Sequence, residues 1–205
     1  MSLLTTIFER NARWARERTE ADPQFFQRLA KQQAPELFWI GCSDSRVSAD
    51  VIAGLDPGEV FVHRNVANMV YTADLNCMSV LQYAVEVLKV KHVVVTGHYG
   101  CGGVRAALEG TSEGLIDHWL EPVKELARAR ADELGQLASH TARIDYLCEA
   151  NVRSQVENVA HSPIVRRAWA RGQDLTLHGW IYGLDRGLLH DLGCSCTGPR
   201  VISAR

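Results

Sequence analysis

The sequence predicts an α/β fold: a central, mostly parallel β-sheet of about four core strands flanked by helices, with an N-terminal helical arm. Three observations carry this expectation. Four short runs, at 37–40, 60–62, 92–96 and 175–181, are nearly continuously apolar, as strands buried on both faces of a parallel sheet are. Helical patterns separate them, over 73–90 before the third run and from about 115 to 171 before the fourth, and such alternation predicts helices on both faces of the sheet. No internal repeat, low-complexity tract or Pro/Ser-rich linker interrupts the 205 residues, which therefore read as one domain over 1–205.

The arm, 1–34, comes first. Leu3, Leu4, Ile7, Phe8, Asn11 and Trp14 recur at helical spacing, and Asp22-Pro23 opens a second helix through Phe25, Phe26 and Leu29. An arm this apolar needs a surface to cover, either its own core or a partner subunit. At the other end, 193–205 reads as an irregular tail.

Composition narrows the function classes. The chain has 22 Lys+Arg against 24 Asp+Glu, a net charge of −2, so nucleic acid is not expected as a partner. No run of about 18 apolar residues predicts a membrane span. The N-terminus lacks a signal-peptide apolar stretch, and Glu9 and Glu17 count against an organellar transit peptide, so the expected location is cytoplasmic. The six cysteines are then expected to be reduced, serving as metal ligands, nucleophiles or core residues.

The first apolar run leads directly into Gly41-Cys42-Ser43-Asp44-Ser45-Arg46, and the third into Gly97-His98-Tyr99-Gly100-Cys101-Gly102-Gly103. Parallel sheets place ligands at the carboxyl ends of their strands. If these two strands are neighbours, two thiolates and an imidazole converge there, a catalytic zinc donor set with one position open. Thiolates favour zinc over magnesium or calcium. Gly97, Gly100, Gly102 and Gly103 give the short loop the freedom to bring His98 and Cys101 to one ion. Their order is neither the dinucleotide fingerprint nor a phosphate loop. Spacing alone leaves open three unrelated core residues near glycine-rich turns, and Asp44 with Arg46 as an ordinary salt bridge.

The remaining candidates read plainly. Cys77 and Cys148 fall in helical apolar patterns and are expected to be core thiols, whereas Cys194 and Cys196 are expected in an exposed terminus. His63, His92, His118, His140, His161, His178 and His190 repeat no ligand spacing, although His63 or another exposed one is a candidate proton relay. The mixed charges of 121–133 read as a solvated helix face.

Cys42-Ser43-Asp44-Ser45-Arg46 together with His98-x-x-Cys101-Gly102 resembles the paired signature of the β-class carbonic anhydrases. The similarity extends through 59–68 (Glu-Val-Phe-Val-His-Arg-Asn-Val-Ala-Asn), 97–103 and 178–183 (His-Gly-Trp-Ile-Tyr-Gly), covers about 1–192, and is closest to the bacterial bicarbonate-regulated subgroup. The resemblance implies reversible hydration of carbon dioxide to bicarbonate and a proton. It implies one Zn²⁺ per subunit on Cys42, His98 and Cys101, with Asp44 as an alternative fourth ligand and Asp44–Arg46 as the catalytic dyad. It also implies a homodimer or dimer of dimers with the cleft at the subunit interface. Gln33, Phe61, Val66, Tyr83 and Gly102 would line the substrate pocket, Gln33 across the interface. Trp39, Arg64 and Tyr182 would form a non-catalytic bicarbonate site whose occupancy inhibits the enzyme.

Within that resemblance, two thiolates cancel the charge of Zn²⁺, so activity is expected to rise on the alkaline side. Arg46 holding Asp44 in a bidentate pair would keep the fourth position free. Two other functions compete: a same-fold hydrolase of carbon disulfide or carbonyl sulfide, and a non-catalytic zinc or redox module using Cys42 and Cys101.

Overall fold

The structure is a computed structural model that describes residues 3–198. The chain divides into two compact units at Ala34–Pro35. In the first, α1 (Leu3–Ala21) and α2 (Phe25–Lys31) form the expected helical pair. Asp22 turns the chain between them, since its Oδ1 accepts from the Gln24 N–H at 3.0 Å and its other oxygen pairs with Arg28. Trp14, Phe25 and Phe26 meet edge-to-face, with ring centroids 5.1–6.4 Å apart. No residue of α1 is buried, and Leu3, Leu4 and Phe8 are 72%, 67% and 75% exposed.

The second unit is built on β1 (Leu37–Cys42), β2 (Val60–Asn65), β3 (His92–His98), β4 (Thr176–Gly183) and β5 (Leu188–Asp191). Their order is β2-β1-β3-β4-β5, with every pairing parallel except β4 with β5. The four expected strands are all present. β5 is additional: Leu-Leu-His-Asp has no β-branched residue and sits half out of the core, so neither propensity nor apolar continuity marks it. β2 runs to Asn65, three residues past its apolar stretch.

The helices follow the expected alternation with finer breaks. α3 (Ala49–Ala53) precedes β2, and α4 (Leu75–Gln82) continues as a π-turn over Tyr83–Val87 before β3. The long helical region before β4 resolves into α5 (Gly102–Glu109), α6 (Gly114–Trp119), α7 (Glu121–Ala129), α8 (Ala131–Gln136), α9 (His140–His161) and α10 (Pro163–Ala170). Ser139 caps α9 through the Ala142 N–H, and Ser162 caps α10 with Pro163 at its first position.

The two sheet faces are covered unequally. Phe38, Ile40, Cys42, Val93, Val95, Leu177 and Ile181 face a large core completed by Leu147, Val152 and Val156 of α9. The opposite face holds a small cluster of Trp39, Ala49 and Val94, with Ile52, Trp180 and Leu189 around it. Among the described residues, no helix is long and apolar enough to cross a membrane.

The expectation of an exposed C-terminal Cys-x-Cys is corrected. Cys194 is 6% exposed, and its sulfur lies where a side chain at Gly179 would be, 2.4 Å from a Cβ built there. Cys196 exchanges two backbone hydrogen bonds with Leu177, at 2.9 and 3.1 Å. A glycine in β4 makes the recess, and a bridge to the sheet holds the tail in it. Residues 199–205 of the expected tail lie outside the described residues.

Candidate metal centre

β1 and β3 are neighbours, as convergence of the two motifs requires. The chain leaves β1 to one side to form β2 and returns on its other side as β3, so the crevice between their carboxyl ends is the point where strand order reverses. Cys42 ends β1, His98 ends β3, and Cys101 caps the following α5. The ligand atoms of these three buried residues all lie within 4.8 Å of one another, and the two sulfurs are 3.9 Å apart. Gly100 turns the loop with a φ of 65°, in the left-handed region that glycine tolerates best.

The donors are prepared for a cation. His98 is fully buried, and its Nδ1 lies 3.0 Å from the Tyr99 carbonyl oxygen. A proton on Nδ1 donates to that carbonyl and leaves Nε2 as a bare acceptor, and Nε2 is a buried atom without a hydrogen-bond partner. The Cys42 thiol is held well below its ordinary range, first by the Cys101 thiol donating to it and then by the backbone amides of Asp44 and Ala67. Cys101 moves up, because a thiolate beside it and burial both oppose a second negative charge. A divalent cation removes that opposition, so metal binding and loss of the second proton go together. Two thiolates and one neutral imidazole within this radius fit zinc.

Asp44 lies beside the donors, its Oδ2 3.7 Å from His98 Nε2. Arg46 grips it bidentately, Nε to Oδ1 at 2.9 Å and Nη2 to Oδ2 at 2.7 Å, and the Arg46 backbone N–H adds a third bond at 3.0 Å. That guanidinium, above all, holds the Asp44 carboxyl well below the usual carboxylate range. Arg64 reaches across from β2, donating from Nε to the Cys42 carbonyl at 2.8 Å and from Nη2 to the Asp44 carbonyl at 2.6 Å. It therefore braces the main chain on both sides of Ser43.

The other residues implied by the resemblance are only partly drawn together. Phe61 and Tyr83 stack with centroids 5.8 Å apart, while Val66 packs at Gly103, where a Cβ would come within 2.9 Å of its Cγ1. Tyr83 and Val66 remain 45% and 36% exposed. Gly102 opens α5 and faces open space. Gln33 follows α2 in the N-terminal unit and is exposed. Trp39, Arg64 and Tyr182 stand on one sheet face but on β1, β2 and β4. Three strand spacings, roughly 14 Å, separate the backbones of Arg64 and Tyr182. Trp39 is buried and meets Trp180 edge-on at 6.1 Å.

Two sequence readings change. His63, offered as an exposed relay, is 7% exposed, and burial lowers its pKa. His92 and His178 pair across neighbouring strands, Nδ1 to Nε2 at 3.1 Å, near the sheet end opposite the metal donors. Sequence spacing has no means of showing that contact.

The comparisons with known proteins agree with this geometry. A family model described as carbonic anhydrase matches residues 37–189. The carbonic anhydrase of Emericella nidulans is 46% identical over 192 residues, which cover 94% of this chain and 84% of that protein. The Coccomyxa β-carbonic anhydrase, solved with acetazolamide, superposes with a TM-score of 0.92 at 44% identity, covering 97% of this chain and 90% of that one. A tetrameric β-carbonic anhydrase of Sordaria macrospora gives 0.90 at 39% identity, covering 94% and 98%. Family, fold and donor set converge on one conclusion: the chain belongs to the carbonic anhydrases of the β class and is a zinc enzyme of that family.

Proposed function

We propose that this chain hydrates carbon dioxide reversibly to bicarbonate and a proton at the Cys42–His98–Cys101 centre, with Asp44 and Arg46 as its dyad. The observation that carries the proposal is the open donor set with a carboxylate held back beside it. When bound, zinc supplies Lewis acidity that acidifies a water, less strongly with two thiolate ligands than with three histidines, so activity is expected to rise toward alkaline pH.

The chain's own residues do the rest. His98 presents Nε2 because its Nδ1–H donates to the Tyr99 carbonyl. Arg46 keeps Asp44 ionised and occupied on both oxygens, so the carboxylate accepts a hydrogen bond from the nucleophile instead of entering the donor set. The Phe61–Tyr83 ring pair, and Val66 at Gly103, would offer apolar surface suited to an uncharged, linear substrate. A closed structural zinc site would not need the held-back carboxylate.

We extend the proposal to inhibition by bicarbonate bound among Trp39, Arg64 and Tyr182. Support comes from the hold of Arg64 on the Cys42 and Asp44 carbonyls. An anion that draws the guanidinium away would loosen the segment carrying Asp44, and Asp44 freed from Arg46 lies within reach of the fourth position. Such a ligand regulates only if it binds the closed state more tightly than the open one. A second copy of the chain is the proposed cover for the exposed apolar side of α1, in keeping with the tetramer of the Sordaria relative. A reducing, cytoplasmic location suits a site that keeps two unbridged cysteine sulfurs 3.9 Å apart.

The test is the rate of carbon dioxide hydration from neutral pH to about pH 9, with and without bicarbonate, run in parallel with carbon disulfide. The expected result is hydration that rises with pH and is suppressed by bicarbonate in the wild type but not in Trp39→Ala. A flat profile overturns the thiolate-rich zinc chemistry. Bicarbonate inhibition that survives Trp39→Ala overturns the regulatory site alone, and turnover of carbon disulfide without hydration replaces the proposed substrate.

A further inference from the structure

α9 sets three carboxamides into an otherwise apolar face, two of them buried. Asn151 is fully buried, Gln155 is 2% exposed, and Asn158 is half-buried one turn further on. Burying an amide side chain costs free energy unless every bond it leaves in water is replaced. Here the bonds converge on one target, the main chain just after β2. Asn151 Nδ2 donates to the Ala67 carbonyl at 2.9 Å. Gln155 Oε1 accepts from the Val70 N–H at 2.8 Å, and its Nε2 donates to Asn151 Oδ1 at 2.9 Å. Asn158 Nδ2 donates to the Val70 carbonyl at 3.0 Å and to Gln155 Oε1 at 3.1 Å.

That target is a costly piece of backbone. Ala67 and Asn68 both take left-handed φ values, 64° and 46°, and Asn68 Nδ2 is buried without a partner. Such a conformation persists only where its surroundings over-determine it. Its consequence lies at the metal centre, because this segment continues directly from Asn65, which pairs with Cys42 in the sheet and accepts from the Ser43 N–H at 2.8 Å, and it packs at Gly103 just past Cys101, where a Cβ would lie 2.9 Å from Val66 and 3.4 Å from Ala67. The preceding turns of the same helix hold the loop after β3. Glu149 Oε1 accepts from the Tyr99 hydroxyl at 2.7 Å, and Cys148 packs in the same core cluster as Cys101. One helix therefore secures both the loop that carries His98 and Cys101 and the segment that packs beside Cys42.

We infer that Asn151, Gln155 and Asn158 are positioning residues of the zinc centre, an amide ladder that fixes the segment after β2 where it packs between Cys42 and the Cys101 loop. Partners that orient a ligand typically change metal affinity by about 10- to 100-fold when lost. The inference rests on Cys42, His98 and Cys101 holding the zinc.

The experiment measures zinc affinity of the full-length protein by chelator competition, alongside its melting temperature and the thiolate-to-metal absorption of the cobalt-substituted form. Asn151→Asp keeps the acceptor for Gln155 but removes the donor to Ala67, and is expected to weaken zinc binding about tenfold and shift the cobalt band. Asn158→Ala, the milder change, is expected to weaken it about threefold. Val165→Ala on α10, fully buried and outside the ladder, is the control, losing thermal stability with zinc affinity within about twofold of wild type. If the α9 variants lose stability as the control does but keep zinc affinity and the cobalt band, the inference is overturned. Should Asn151→Asp fail to fold, Asn158→Ala decides by the same reading. Unchanged zinc affinity in Cys42→Ser would instead overturn the assignment of the ligands, which separates the two failures.

Discussion

α1 and α9 are the two longest helices among the described residues, at 19 and 22 residues, and they use their sequences in opposite ways. α1 places Leu3, Leu4, Ile7 and Phe8 on one side and buries none of them. α9 buries nine residues, two of them carboxamides, and bonds to the loop after β3 and to the segment after β2. Amphipathic spacing is common to both. A periodic pattern predicts that a helix exists, but what covers the helix determines what it does.

The sharpest way to break this comparison is through the loops that α9 supports. Cys101→Ala removes a metal ligand and is expected to cost about a thousandfold in hydration rate or more, together with bound zinc. Phe8→Ala on α1 leaves the zinc content of each chain unchanged. Metal analysis and stopped-flow assay check both, and equal losses would erase the distinction between the helices.

Stability comes next. Leu147→Ala on α9, fully buried, is expected to cost about 2–5 kcal/mol by denaturant titration. Leu4→Ala on α1, 67% exposed, is expected to cost less than about 0.5 kcal/mol in dilute samples. If the cost of Leu4→Ala grows with protein concentration, a second copy covers that face. Phe8→Glu is then expected to shift the sedimentation profile to a smaller species at unchanged helix content, and an unchanged profile would leave α1 uncovered by its own kind.

The smallest expected effect is on the pH dependence of stability. Burial, more than any other cause, lowers the pKa values of His63 and His178 below the ordinary 6.5. Their folded forms prefer to be neutral, so the stability they permit is complete above pH 6.5 and falls as pH drops through the window below it. Melting temperature between pH 7.5 and 5 is expected to decline less in His178→Gln than in wild type. An equal decline would assign the acid sensitivity to other groups.

Much of the site was legible in residue order. The runs before Cys42 and His98 gave two buried strands, and the glycines around Cys101 gave a tight loop, because period and turn chemistry are local properties. The amide ladder was less visible. Asn151, Gln155 and Asn158 recur at helical spacing among Val152, Val156 and Val159, a signal that three polar residues share the buried side, but an amide facing solvent has the same one-letter code. Arg64 likewise reads as a surface cation until its two carbonyl partners are seen.

Residue order alone therefore determined the class of fold, the strand ends that carry chemistry and the donor types that suit zinc, since each follows from local pattern and side-chain chemistry. Assembly in three dimensions determined that β1 and β3 are neighbours, that α9 reaches both the loop after β3 and the segment after β2, that Cys194 is buried against Gly179, and that β5 exists at all. Each of these depends on contacts between residues far apart in the chain, and such contacts are selected by the packing of the whole core rather than by any single segment.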